Sequence, residues 1–149
     1  MKTFLILSLL AFPLHAEIRG AVRGGVFASG KHDPAGTVEL DLRHGNWSFA
    51  PAYDFIRGGY GVYAIDVDVR RLFQFEHNTM WIGAGPTFVD SNSGSKTTWS
   101  ADAGFAWKRN SAWEPFVAAR YYSFRIPVFR DVVQEHGAVI SLGISRRFH

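Results

Sequence analysis

The chain has 149 residues, no cysteine, 16 basic and 13 acidic side chains for a net charge of +3, and 13 Phe, 5 Trp and 5 Tyr beside 15 Gly. That length supports one domain, and the missing cysteine excludes a disulfide-stapled scaffold, a thiolate metal centre and a thiol enzyme. With no block of five like charges, the mild basic excess is not the footprint of a nucleic-acid binder.

The first segment, MKTFLILSLLAFPLHA, carries a positive charge at Lys2, an apolar run from Phe4 to Phe12, a breaker at Pro13 and a small residue at Ala16. It predicts a secretory signal peptide over residues 1–16, cut before Glu17 and too short to cross a bilayer as a helix. Residues 17–149 are then one domain. Their enrichment in aromatics and glycine, without helical periodicity, predicts an all-β protein.

Eight segments with a period of two follow, separated by turn residues. Ile18 to Ala28 sets Ile18, Val22 and Val26 against Arg19 and Arg23, and ends at KHDPAG. Thr37 to Arg43 sets Val38, Leu40 and Leu42 against Glu39, Asp41 and Arg43. Trp47 to Phe55 places Trp47, Phe49, Tyr53 and Phe55 opposite Ser48, Ala50, Ala52 and Asp54, before the turn RGGYG. Tyr63 to Phe75 alternates Tyr63, Ile65, Val67, Val69 and Phe73 with Ala64, Asp66, Asp68 and Arg70. In Met80 to Val89, Met80, Ile82, Ala84 and Phe88 oppose Trp81, Gly83, Gly85 and Thr87, and DSNSGSK reads as a loop. Thr97 to Trp107 sets Trp99, Ala101, Ala103, Phe105 and Trp107 against Ser100, Asp102 and Gly104. Trp113 to Ser123 sets Val117, Ala119 and Tyr121 against Glu114, Phe116, Arg120 and Tyr122. A connection from Phe124 to His136 leads to a last strand in which Ile140, Leu142, Ile144 and Phe148 share one phase.

Alternation alone does not say whether the apolar face points inward or outward, and a periplasmic lipocalin-like ligand-binding barrel has the same period with its apolar side inside. The other face is rich in Gly, Ala, Ser, Asp and Arg, which fit the narrow interior of an eight-stranded barrel. Arg19, Arg23, Asp54, Asp66, Asp68, Arg70, Asp102 and Arg120 are predicted to form an ion-pair network in that lumen. Trp47, Phe55, Tyr63, Phe73, Trp99, Trp107, Trp113 and Tyr121 fall toward strand ends, where a transmembrane barrel places its interface aromatics. The expectation is an eight-stranded antiparallel up-and-down transmembrane β-barrel, closed so that no backbone polar group is left unpaired in lipid.

With Ile140, Leu142, Ile144 and Phe148, the sequence resembles the bacterial outer-membrane β-barrel proteins, although Arg146 interrupts the phase and His149 follows the aromatic. The resemblance implies an outer-membrane location after export, a terminal signal read by the assembly machinery, and contact with outer-membrane lipid and lipopolysaccharide. It further implies loops 31–36, 57–61, 90–96 and 124–136 outside the cell and turns RHGN, FEHN and KRNS in the periplasm. Eight strands leave a lumen filled by side chains, so a wide pore is not expected.

Two functions stand open. One is a structural or surface-interaction barrel, a single chain acting through its outer loops. The other rests on a similarity to the lipid A 3-O-deacylases, whose His-x-Ser lies near the end of the seventh strand. Ser123 matches the serine, but Tyr121 stands where the His belongs and is a poor base near neutral pH. The candidates are therefore Ser123, Glu135 and His136. The remaining histidines, His32, His44, His77 and His149, lack ligand spacing, and GGYGVY and GAGP lack the setting of a phosphate loop, so no metal and no cofactor is assigned.

Overall fold

The computed structural model describes residues 16–28, 32–57, 62–91, 94–108, 112–128 and 131–148, so all of the predicted signal segment except Ala16 lies outside the described residues. Eight strands follow one another: β1 (Glu17–Ala28), β2 (His32–His44), β3 (Trp47–Ile56), β4 (Val62–Gln74), β5 (Asn78–Ser91), β6 (Gly94–Trp107), β7 (Trp113–Val128) and β8 (Asp131–Phe148). Each pairs antiparallel with the next, and β8 returns to β1 with Phe148 opposite Ile18, closing the barrel. Closure pairs the edges that an open sheet would expose. The start of β1 and the end of β8 thus meet at one rim, the terminal rim.

The period-two pattern decides which side chains enter. In β4, Val62, Ala64, Asp66, Asp68, Arg70 and Leu72 are buried, while Tyr63, Ile65, Val69 and Phe73 are exposed. The same division holds around the sheet, and the exposed side is the apolar one: Val38 is 62% exposed, Leu142 70% and Trp99 69%. The lipocalin-like alternative required the reverse and is corrected here. Its apolar face would have to line a cavity, whereas the inward positions carry charge.

The lumen is layered. Near the terminal rim Ala21, Leu72, Trp81, Ala106, Phe116 and Ala118 pack as an apolar plug, and toward the opposite rim Phe27, Ala35, Ile56, Val62, Ala64, Val89, Tyr122 and Val139 form a second. Charged residues lie between them. Two large rings fit because glycine faces each: Trp81 pairs with Gly104 of β6 and Phe116 with Gly143 of β8, and a Cβ at either glycine would fall against the ring. The two rings meet edge to face, with centroids 5.8 Å apart.

Pro51 and Pro86 have no N–H to donate, and the bridges β2–β3 and β4–β5 lapse beside them before resuming in the same register. Gly45, at φ 58°, supplies the positive dihedral of the tight β2–β3 turn.

Several predicted connections are corrected. Strand β2 begins at His32, not after residue 36, and Ser91 of β5 already pairs with Gly94 of β6 inside the predicted loop 90–96. The predicted connection 124–136 is mostly strand: β7 runs to Val128 and β8 starts at Asp131. In the loop 57–61, Ile56 pairs with Val62, and residues 58–61 lie outside the described residues. Asn78 of the FEHN turn opens β5, and residues 109–111 of KRNS lie outside the described residues. The physical reason is common to these cases. Alternation records which side chains face an apolar surround, but backbone pairing needs no such contrast and continues beyond it.

The β7–β8 hairpin goes furthest. Among the described residues the β1 ladder ends at Ala28–Ala138 and the β6 ladder at Ser100–Tyr122, so the hairpin beyond them is a two-stranded ribbon.

Candidate functional site

Three constellations carry polar or exposed apolar groups suited to a function: the charged layer of the lumen, the outer belt, and a polar group at the base of the ribbon.

In the lumen, Arg70 from β4 and Arg120 from β7 are nearly inaccessible and hold most of the acidic side chains. Arg70 makes a bidentate pair with Glu39, its Nη1 and Nη2 each 2.6 Å from a carboxylate oxygen, and reaches Asp102 at 2.8 Å. Arg120 Nη1 lies 2.7 Å from Asp54 and 3.1 Å from Asp66, and Nη2 lies 2.6 Å from Asp68. Arg23 approaches Glu39 at 3.5 Å. Asp66 and Asp68 are 0% exposed, so these charges have no water to fall back on.

Glu39, Asp54, Asp66, Asp68 and Asp102 outnumber Arg23, Arg70 and Arg120, and uncharged donors make up the difference. Tyr122 donates to Asp54 and Asp66, Thr37 to Asp54, Thr87 to Asp66, Ser100 to Asp66 and Asp68, and the Trp81 indole N–H to Asp102 at 3.0 Å. Arg19 stands apart from this layer, near the terminal rim, paired with Glu17 and Glu114, as does Arg43 with Asp41. Glu39, Thr37, Thr87, Ser100, Tyr122 and Trp81 were not among the predicted network. Glu39 shares the inward phase of Asp41, so the signal was present, but Arg70 and Arg120 lie 31 and 81 residues away from it in sequence. Charged side chains thus lie between two apolar clusters and tie together strands that are not neighbours in the sheet. Among the described residues no group of three or more His, Asp or Glu side chains is arranged to hold a metal.

On the outer face the predicted aromatics fall into two rings. Trp47, Phe73, Trp107 and Trp113 lie toward the terminal rim with Phe148, which covers Gly20. Phe55, Tyr63, Trp99 and Tyr121 lie toward the opposite rim, joined by Tyr53, whose ring stacks on Tyr63 with centroids 6.3 Å apart. From Tyr63 to Phe73 is a run along one strand which, at ~3.3 Å per residue and a tilt of ~40°, spans ~25 Å, the height of a lipid-facing apolar band. Ile140, Leu142 and Ile144 lie on this belt.

The third constellation joins two of the three predicted catalytic candidates. Ser123 and His136 are direct register partners at the base of the β7–β8 ribbon, on the outer face. The Tyr121 hydroxyl lies 3.2 Å from His136 Nδ1, and the two rings are stacked with an interplanar angle of 12°. Glu135 pairs with Phe124 across the ribbon, and its side chain lies outside the described residues.

No family model matches the sequence, and no curated protein is significantly similar to it. Solved structures are similar in fold. Neisserial surface protein A superposes with a TM-score of 0.72 at 12% identity, covering 89% of this chain and 97% of that one. The N-terminal β-barrel domain of OprF from Pseudomonas aeruginosa gives 0.65 at 11% identity, over 89% and 97% of the two chains. The outer membrane enzyme PagL gives 0.55 at 14% identity, over 86% and 99%.

The chain has the fold of the outer-membrane β-barrels. In an outer-membrane barrel of eight strands, a side-chain-filled lumen and an apolar exterior are two consequences of one geometry. The circumference is too small for a channel, and the polar phase has nowhere to go but inward. The likeness at these identities is one of fold, and neither the lumen network nor the Ser123–His136 pair is carried over from a neighbour.

Proposed function

We propose that the protein is exported to the outer membrane, spans it as a barrel with the terminal rim in the periplasm, and acts as an anchored structural or surface-interaction protein through its opposite end. The observation that supports this reading is the exterior: a continuous belt of exposed Val, Ile and Leu between two aromatic rings, around a lumen that is charged and full. In water such a belt would far exceed the apolar patch a soluble monomer tolerates. Lipid and lipopolysaccharide are its surroundings in this reading, Phe148 with Ile140, Leu142 and Ile144 is the signal met by the assembly machinery, and a single chain suffices because the sheet closes on itself.

The test is a membrane extract run on a gel with and without boiling. Faster migration of the unboiled protein, from an outer-membrane fraction, is the expected result. A protein recovered from the periplasm without detergent would remove the membrane from the proposal.

The pairing of Ser123 with His136 favours a second reading, an ester hydrolase acting on a lipid acyl chain at the outer edge of the membrane. Directly opposed residues hold their Cβ atoms ~4.5–5.5 Å apart. With Nδ1–H donated to the Tyr121 oxygen, His136 would keep Nε2 as the proton acceptor that a serine nucleophile needs. Here His136 from β8, rather than the residue two before the serine, supplies the base, and PagL, named as an outer membrane enzyme, has the same barrel. Mass spectrometry of lipid A from cells making the protein separates the readings. The enzyme releases a 3-hydroxy acyl chain, and both Ser123→Ala and His136→Ala abolish the release, while the scaffold leaves lipid A unchanged.

A further inference from the structure

Two arginine–tryptophan pairs stand on the outer face at the terminal rim, and neither the lumen nor the Ser123 group makes use of them. Trp47 of β3 is the register partner of Arg71 of β4, whose guanidinium carbon lies 5.0 Å from the centre of the indole. Trp113 of β7 is the partner of Arg146 of β8, at 5.1 Å. In the closed order β3–β4 and β7–β8 lie four strands apart, so the two pairs occupy opposite sides of the barrel.

Among the described residues no carboxylate matches their charges. At the same rim Arg19 is held by Glu17 and Glu114 and Arg43 by Asp41, whereas among the described residues neither Arg71 nor Arg146 forms an ion pair with a carboxylate. Each indole is about half exposed, and a guanidinium placed over an indole face keeps N–H donors for a further acceptor. A tryptophan alone would set depth in the interface, and an arginine alone would add a diffuse attraction. The pair instead presents a planar fork of donors next to a flat apolar surface, which fits a phosphate attached to a glycerol and its acyl chains.

We propose that each pair is a headgroup site for an anionic phospholipid of the leaflet around the terminal rim, the guanidinium holding the phosphate diester and the indole lying along the glycerol backbone. The proposal rests on the membrane reading above. Arg146, which interrupts the apolar phase of the last strand, then has a task that an apolar residue there would not perform.

The test uses the folded barrel in nanodiscs of phosphatidylcholine alone or mixed equally with phosphatidylglycerol, released gently for native mass spectrometry. Two phosphatidylglycerol molecules should stay with each barrel, at a preference over phosphatidylcholine of roughly tenfold or more, the worth of a charge-assisted hydrogen bond. Arg71→Ala and Arg146→Ala should each lose one and the double variant both, with excess inorganic phosphate displacing neither. Arg71→Lys, which keeps the charge without the planar fork, should retain its lipid less well than wild type.

Equal retention of the two lipids, undiminished retention in the double variant, or displacement by phosphate would overturn the proposal. Flotation with vesicles and unboiled gel migration are checked first for every variant. A barrel that does not float refutes the membrane reading and this site together, whereas one that floats without lipid preference refutes this site alone.

Discussion

At the scale of single residues, the barrel depends on the charges it hides. Removing one side of a buried, hydrogen-bonded ion cluster leaves the other side without water or partner, which costs about 3–5 kcal/mol. Arg120 contacts Asp54, Asp66 and Asp68 at once, so Arg120→Met should lower the stability of the folded barrel in detergent by that amount, read from its urea unfolding midpoint. Tyr122→Phe removes one neutral donor from two carboxylates and should cost about 1.5–3 kcal/mol. A loss in Tyr122→Phe as large as in Arg120→Met would mean that hydroxyl donors, not guanidiniums, carry the layer. Which charges face inward was legible from alternation. Which of them meet was not, because Glu39 reaches Arg70 and Arg120 only through the registers of strands far apart in the chain.

Among the strands, glycine works as space. Gly104 lies beneath the Trp81 indole, and a methyl group there overlaps the ring, so Gly104→Ala should destabilise by about 1–3 kcal/mol as Trp81 is forced from its hydrogen bond to Asp102. Gly24 on β1 has nothing within 4 Å of a Cβ, and Gly24→Ala should leave the unfolding midpoint unchanged or raise it slightly. Equal effects would show that the backbone rather than the ring sets the demand. The closing strand offers a different test. Phe148 sits at the β8–β1 seam over Gly20, and Phe148→Asp should reduce folded protein in outer-membrane fractions several-fold. Unaltered amounts would remove the assembly role proposed for the terminal aromatic. Strand cores were legible in the sequence, but strand ends were not. Beyond Tyr122 the apolar residues Phe124, Ile126 and Val128 fall on the opposite phase to Val117, Ala119 and Tyr121, and Pro127 reads as a strand breaker, so the sequence does not mark the extension that brings Ser123 opposite His136.

For the whole molecule, the question is what surrounds the belt. Leu142 is 70% exposed and lies between the aromatic rings, so Leu142→Arg should cost about 2–4 kcal/mol in a bilayer, measured by the unfolding midpoint in lipid vesicles. In water the same exposed substitution would fall within about 0.5 kcal/mol, and that result would argue for a soluble barrel. The layered lumen, with an apolar plug on either side of the charged layer, should also make the barrel non-conducting in planar bilayers.

From sequence alone came the strands, their number, the side each residue faces and the apolar belt with its aromatic ends, because a period of two is local and needs no knowledge of partners. The expected closure is what forms, and tertiary structure alone decided its register, with Phe148 opposite Ile18, the hub made by Glu39, Arg70 and Arg120, the length of the β7–β8 ribbon and the meeting of Ser123 with His136. These follow from register, which is set by pairing between segments up to the full length of the domain apart, and no spacing along the chain records it.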